Sequence, residues 1–279
     1  MSEVKTPSST ASRREWLQAA VCIIAMGVAM TGGRAAQAVD RTIGQRAEEK
    51  ANNASADPKG PAAAKLRIGK LRVDKVLFLG NSITVHGPAP KIGWHGDWGM
   101  AASAKERDYV HLLLEQIAKS ARGKPEVMVK NIADFERRLT DFNIQEGLKQ
   151  ELAFEADLII IAIGENAAAL NTEDAKGKYR EAFSQLLAEL KKHGEPTLVV
   201  RSSFWADSAK DQIMKQACEV AGGVFVDNSK LGSDESNFAR SERKIEHAGV
   251  AGHPGDKGMQ AIAAALWSAI QDRAAIKKP

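Results

Sequence analysis

Ser82 ends an apolar run and enters a tight turn, since residues 76–84 read VLFLGNSIT. A serine hydroxyl is a weak nucleophile at neutral pH unless a neighbouring base takes its proton. The chain has six histidines, of which His111 falls in an amphipathic helical pattern and His193 at a predicted helix end. His253 precedes Pro-Gly on a loop before the last helical pattern. At the carboxyl edge of a parallel sheet, such a loop could bring a base to the serine. Ser82 and His253 are therefore a candidate nucleophile and base.

Apolar strand patterns alternate with helical patterns from residue 73 onward. This alternation predicts a three-layer α/β/α sandwich with a mainly parallel five-stranded sheet. The predicted strands are residues 75–79, 126–130, 157–163, 197–201 and 224–226. The predicted helices are residues 105–120, 144–154, 176–193, 206–221 and 257–271. No internal repeat and no second folded domain is apparent.

Three blocks in this order resemble those of the SGNH (GDSL-like) hydrolases. They are residues 76–84, residues 159–166 (IIIAIGEN) and residues 253–259 (HPGDKGM). The resemblance covers residues 75–270 and implies a flavodoxin-like fold, with Ser82 as nucleophile and His253 as general base. It also implies an oxyanion hole of three donors: the Ser82 amide, the amide of Ala133 after the second strand, and the Asn166 side chain after the third.

The chain departs from the family pattern at two positions. The family reads Asp-x-x-His in its last block, and here Val250 stands where the aspartate is expected. Glu246 or Asp256 could complete a triad in its place, or a backbone carbonyl could orient the imidazole of a Ser–His dyad. Ala133 stands where a glycine is usual, although an alanine amide serves equally well if its φ is negative.

A Gly- and Trp-rich segment, residues 91–100, follows the nucleophile block. Trp94 and Trp98 could contact substrate or could pack the segment onto the sheet. Glu165, beside Asn166, could also contact substrate. The histidines and aspartate near this segment match no metal template, so neither a metal nor another cofactor is expected.

The N-terminal region resembles an export signal. Residues 12–17 read SRREWL, and a twelve-residue apolar stretch follows them. Ala-Gln-Ala at residues 36–38 is typical of a cleavage site. Together these features predict a twin-arginine signal over residues 1–38. Twelve apolar residues are short for a membrane span, although an N-terminal anchor is the alternative. Residues 39–70 are predicted to be a flexible lead-in and residues 71–279 the catalytic domain.

The charge and the cysteine content of the chain argue against a nucleic-acid partner and against a disulfide. Removing the four Lys/Arg and two Asp/Glu of residues 1–38 reduces the net charge from +4 to +2, with both signs interspersed, so no nucleic-acid partner is expected. Cys218 would be the one cysteine left, which excludes an intramolecular disulfide in the processed chain.

The sequence therefore predicts an exported serine esterase in the periplasm or outside the cell. Its expected substrates are carboxylic esters, in particular O-acetyl groups on carbohydrates. Two alternatives remain open: a lipase, lysophospholipase or thioesterase with the same site, or a glycan-binding module that has lost catalysis. The sequence does not determine the oligomeric state.

Overall fold

The computed structural model describes residues 65–275. The predicted signal and most of the predicted lead-in lie outside these residues. The strands are β1 (Arg67–Ile68), β2 (Leu71–Arg72), β3 (Lys75–Gly80), β4 (Glu126–Asn131), β5 (Leu158–Ala162), β6 (Thr197–Arg201) and β7 (Val224–Val226). The α-helices are α1 (Tyr109–Ala121), α2 (Ala133–Arg138), α3 (Ile144–Gly147), α4 (Lys149–Ala153), α5 (Glu173–Lys192), α6 (Ser208–Val220), α7 (Ala239–Glu242), α8 (Ala248–Ala251) and α9 (Asp256–Ala275).

Strands β3 to β7 form one fully parallel sheet in the order β4-β3-β5-β6-β7. Among these five strands the chain runs 2-1-3-4-5, which is the flavodoxin-like doubly wound order. The predicted fold class is thus confirmed. Because all five strands run the same way, the loops after β3, β4, β5 and β6 leave from one edge of the sheet. Functional residues of doubly wound folds lie at this carboxyl edge.

The two faces of the sheet bury separate cores. Alternate residues of a strand point to opposite faces. In β3, Leu77 and Leu79 therefore pack with helices α5 and α6, whereas Val76 and Phe78 pack with α1 and α9. Strand β5 is buried along its whole length, as its continuous apolar sequence predicts for an interior parallel strand.

Some observed elements differ from the predicted ones. The predicted lead-in extends to residue 70, but β1 and β2 form an antiparallel hairpin with Ile68 and Leu71 buried, so the ordered fold begins earlier. The helix predicted over residues 144–154 is divided into α3 and α4 after Gly147, a poor helix former. Helix α2, directly after β4, is too short to show a helical period.

Within residues 65–275, no helix combines the length and the apolarity that a membrane crossing requires.

Candidate active site

Ser82 lies in a tight turn directly after β3. The Asn81 carbonyl accepts from the amides of Thr84 and Val85 at 2.9 and 3.0 Å. The Asn81 side-chain oxygen also accepts from the Ile83 amide at 3.1 Å, which closes the turn. Gly80 leaves the space for this reversal, because a Cβ on Gly80 would lie 2.5 Å from the Thr84 Cβ.

The structure brings Ser82 and His253 together across 171 residues of sequence. The Ser82 Oγ lies 2.8 Å from the His253 Nε2. The other ring nitrogen, Nδ1, lies 2.7 Å from the carbonyl oxygen of Gly249. A carbonyl can only accept, so this contact places the proton on Nδ1 and leaves the Nε2 lone pair to accept from Ser82.

The Gly249 carbonyl thus occupies the place of an orienting carboxylate. Val250 packs in an apolar cluster with Trp94. Asp256 instead accepts from the amide and hydroxyl of Ser103 at 2.7 and 2.5 Å, and the exposed Glu246 has no partner among residues 65–275. Of the three orienting groups considered from the sequence, the backbone carbonyl is the one that contacts the imidazole.

His253 is buried, with 8% of its surface exposed. Burial lowers the pKa of His253 to about 4, although the Gly249 carbonyl opposes the shift. The half-buried Trp205, four residues beyond β6, supplies part of this enclosure, since its ring centroid lies 5.5 Å from the imidazole in an edge-to-face arrangement at 90°. The imidazole is therefore neutral, and able to accept a proton, throughout the neutral and mildly acidic range.

The three predicted oxyanion donors differ in their present contacts. The Ser82 amide has no hydrogen-bond partner within residues 65–275, and Asn166 accepts from Arg137 through Oδ1 at 3.2 Å. Ala133 begins α2, so its φ is negative, but its amide donates to the Asn131 side chain at 3.0 Å. The Ser82 amide is therefore available to a ligand without a rearrangement, whereas the Ala133 amide must first release Asn131.

A buried polar network lies behind Ser82. The Asn81 Nδ2 donates to Glu136 at 3.1 Å and to Glu165 at 2.7 Å. Glu165 also accepts from Arg201 at 2.7 Å and from the Phe204 amide at 2.8 Å. Burial is the largest influence and opposes ionisation of Glu165, but the Arg201 charge and the hydrogen bonds from Phe204, Arg201 and Asn81 together outweigh it, so the pKa of Glu165 lies below its ordinary value. With a side chain only 3% exposed, Glu165 supports the turn from within instead of facing a substrate.

The aromatic residues of the Trp-rich segment pack inward. Trp94 is 6% exposed and donates from its ring nitrogen to the His86 carbonyl at 3.0 Å. Trp98 is half-buried, donates to the Ala102 carbonyl at 3.1 Å and packs edge-to-face against Trp94 at 5.5 Å. Trp94 therefore offers little surface to a substrate. No cluster of three potential metal ligands occurs in the described part of the chain.

Sequence reasoning missed Glu136, Arg201 and Trp205. Glu136 lies in the charged segment DFERR, a pattern typical of a solvent-exposed helical turn. Arg201 could have been singled out, because it is the one charged residue in the apolar strand TLVVR and stands at its carboxyl end. Trp205 lies in a loop, and its contact with His253 depends on the tertiary fold.

No family model and no curated protein matches the chain. Several solved structures are similar to it at low identity. A lipase/acylhydrolase from Enterococcus faecalis is 18% identical with a TM-score of 0.48, over 74% of this chain and 99% of that one. A GDSL-like lipase from Bacteroides uniformis is 15% identical with a TM-score of 0.44, over 72% and 96%. A family two carbohydrate esterase from Cellvibrio japonicus is 16% identical with a TM-score of 0.45, over 77% and 63%.

Proposed function

We propose that this protein is a serine esterase that hydrolyses carboxylic esters through an acyl-enzyme on Ser82, with His253 as the general base. The contact of 2.8 Å between the Ser82 Oγ and the His253 Nε2 carries this proposal. A neutral, oriented imidazole at hydrogen-bond distance from a serine hydroxyl is the arrangement that activates the hydroxyl for attack on a carbonyl.

The chemistry follows from the two ring contacts of His253. The Ser82 Oγ attacks the ester carbonyl carbon while its proton passes to Nε2, and the oxyanion receives hydrogen bonds from the Ser82 amide and Asn166. When the intermediate collapses, the proton on Nε2 goes to the departing alcohol. Water then attacks the acyl carbon and gives a proton to Nε2. When this second intermediate collapses, that proton returns to the Ser82 Oγ, and the acid leaves.

The orienting group affects the rate. The Gly249 carbonyl accepts from Nδ1 at 2.7 Å, but it carries a partial charge where a triad has a full carboxylate charge. It therefore stabilises the imidazolium less than a carboxylate does. We expect turnover to be slower than in a Ser-His-Asp enzyme with an otherwise similar site.

We further propose that the acyl group is short and that the alcohol is a carbohydrate. Two surface grooves of about 670 and 350 Å³, lined mainly by residues of α6 and α5, contain neither Ser82 nor His253 and lie apart from this site. The half-buried indole of Trp205 lies beside the base, where an aromatic surface can contact a sugar ring. Export through residues 1–38 would bring the enzyme to such polymers.

Substrate preference tests the proposal. The assay compares p-nitrophenyl acetate, butyrate and octanoate, together with acetate release from acetylated xylan. Ser82→Ala is the test variant, and Ser184→Ala, an exposed serine on α5, is its control. We expect acetate to be preferred, acetate release from xylan, and loss of both activities in Ser82→Ala alone. Preference for octanoate would support the lipase alternative, and no turnover by folded wild type would support a binding module.

A further inference from the structure

One buried carboxylate connects the nucleophile turn to the loop that carries Asn166. Glu136, in α2, is 1% exposed. Its Oε1 accepts from the Gly164 amide at 2.5 Å and from the Asn81 Nδ2 at 3.1 Å, and its Oε2 accepts from the Asn166 amide at 3.1 Å. Asn81 precedes Ser82, and Gly164 precedes the Asn166 loop. The carboxylate therefore contacts both segments that flank the attacked carbonyl.

The donors around Glu136 match a carboxylate and no neutral side chain. All three of its partners are N–H groups, and an ionised carboxylate has acceptor sites for all of them. An amide of the same shape would place an NH₂ group against at least one N–H donor. A buried N–H that loses its acceptor is unfavourable, so the loop would move to restore a hydrogen bond.

The carboxylates of Glu136 and Glu165 both accept a hydrogen bond from the Asn81 side chain. Asn81 donates to both carboxylates, but Glu165 is paired with Arg201, and no cation among residues 65–275 forms an ion pair with Glu136. Glu165 lies in the Asn166 loop itself and joins the turn to Arg201 on β6. Glu136 lies outside both segments, and its carboxylate accepts from the turn and from the backbone of the Asn166 loop.

We infer that Glu136 is a positioning residue of the esterase site, which sets the distance between the Asn166 oxyanion donor and the Ser82 nucleophile. This inference rests on the proposed function and extends it to a residue that touches no substrate. A displacement of about 1 Å in such a site can reduce the rate about 10²-fold.

The charge state of Glu136 provides a readout that a merely structural residue would lack. Burial, and then the nearby Glu165, raise the pKa of Glu136 to about 7. The other charged or titratable groups around it are Arg201 on β6, Tyr179 on α5, Lys210 on α6, which donates to the Gly164 carbonyl, and Arg137 on its own helix. Protonation of Glu136 places a hydrogen on one carboxyl oxygen, so that oxygen becomes a donor, as the NH₂ group is in Glu136→Gln.

The test compares wild type, Glu136→Gln and Glu151→Gln in the full chain with p-nitrophenyl acetate. Glu151 is a matched control, because it is a buried glutamate paired with Lys130 at 3.5 Å outside this network. We expect kcat to fall about 10²-fold in Glu136→Gln with KM unchanged, since the loss concerns the transition state. Wild type should also show a partial loss of kcat as pH falls through about 7, absent in Glu136→Gln. Equal kcat values in wild type and Glu136→Gln would overturn the inference.

A second measurement is independent of both catalysis and the stability of the variant. In the full-length Ser82→Ala chain, NMR shifts of the Gly164 and Asn166 amides and of the Asn81 side-chain amide should titrate together with a midpoint near pH 7. Independent titration of these groups, or none, would overturn the inference even if the enzyme is active. A common titration in Ser82→Ala, combined with no esterase activity in folded wild type, would instead overturn the proposed function and leave the connection through Glu136 established.

Discussion

At the scale of single residues, the proposed mechanism depends on keeping His253 neutral. A general base must be unprotonated at the working pH, and an ordinary histidine has a pKa near 6.5. Burial of His253 lowers its pKa to about 4 because desolvation disfavours the imidazolium. The same burial makes the imidazolium formed during catalysis costly, and the Gly249 carbonyl offsets part of that cost.

This burial predicts the pH dependence of the reaction. Above a pH of about 4 the Nε2 of His253 is unprotonated and accepts the Ser82 proton; below it the imidazolium cannot. We therefore expect kcat/KM for p-nitrophenyl acetate to fall in two steps: a partial one around pH 7 from Glu136, and a complete one only near pH 4. Complete loss of activity by pH 5.5 would contradict the assignment.

Trp205 should affect the pH at which the final loss of kcat/KM occurs. Trp205→Ala exposes the imidazole to water, so the pKa of His253 should rise towards 6.5 and the final loss of kcat/KM should move to higher pH. Trp267→Ala is the control, because that indole is also half-buried but lies about three turns into α9. A lower step that stays near pH 4 in Trp205→Ala would show that the indole does not shield the base.

At the scale of elements, the turn after β3 is fixed by the absence of a side chain. A Cβ at position 80 would meet the side chain of Thr84, whose hydroxyl bonds to that of Tyr109 at 2.7 Å. We expect Gly80→Ala to destabilise the fold by about 1–3 kcal/mol, as overpacking does, and to displace Ser82.

Removing the opposing side chain provides the control. Gly80→Ala/Thr84→Gly restores the space, so the double variant should recover part of the kcat that Gly80→Ala loses, as compared by ester hydrolysis and by denaturant unfolding. If the single variant keeps wild-type kcat and stability, the close approach does not determine the turn.

At the scale of the whole molecule, the parallel sheet brings separate loops to one edge. The interior strands could be predicted because such parallel strands are continuously apolar, and β6 matches its predicted bounds. The edge strand β7 also matches its predicted bounds. The loops carrying Ser82, Asn166 and His253 could be predicted because they follow strands or precede the last helix. Their partners could not be predicted in this way: the role of the Gly249 carbonyl and the contacts of Glu136 and Trp205 depend on which backbone groups meet after folding.

The central claim is that His253 activates Ser82, and covalent labelling tests it most directly. Purified wild type, Ser82→Ala and His253→Ala are treated with a fluorophosphonate and analysed by intact mass and peptide mapping. The geometry predicts one adduct on Ser82 in wild type and none in either folded variant. Absence of an adduct in folded wild type, or undiminished labelling of His253→Ala, would contradict it.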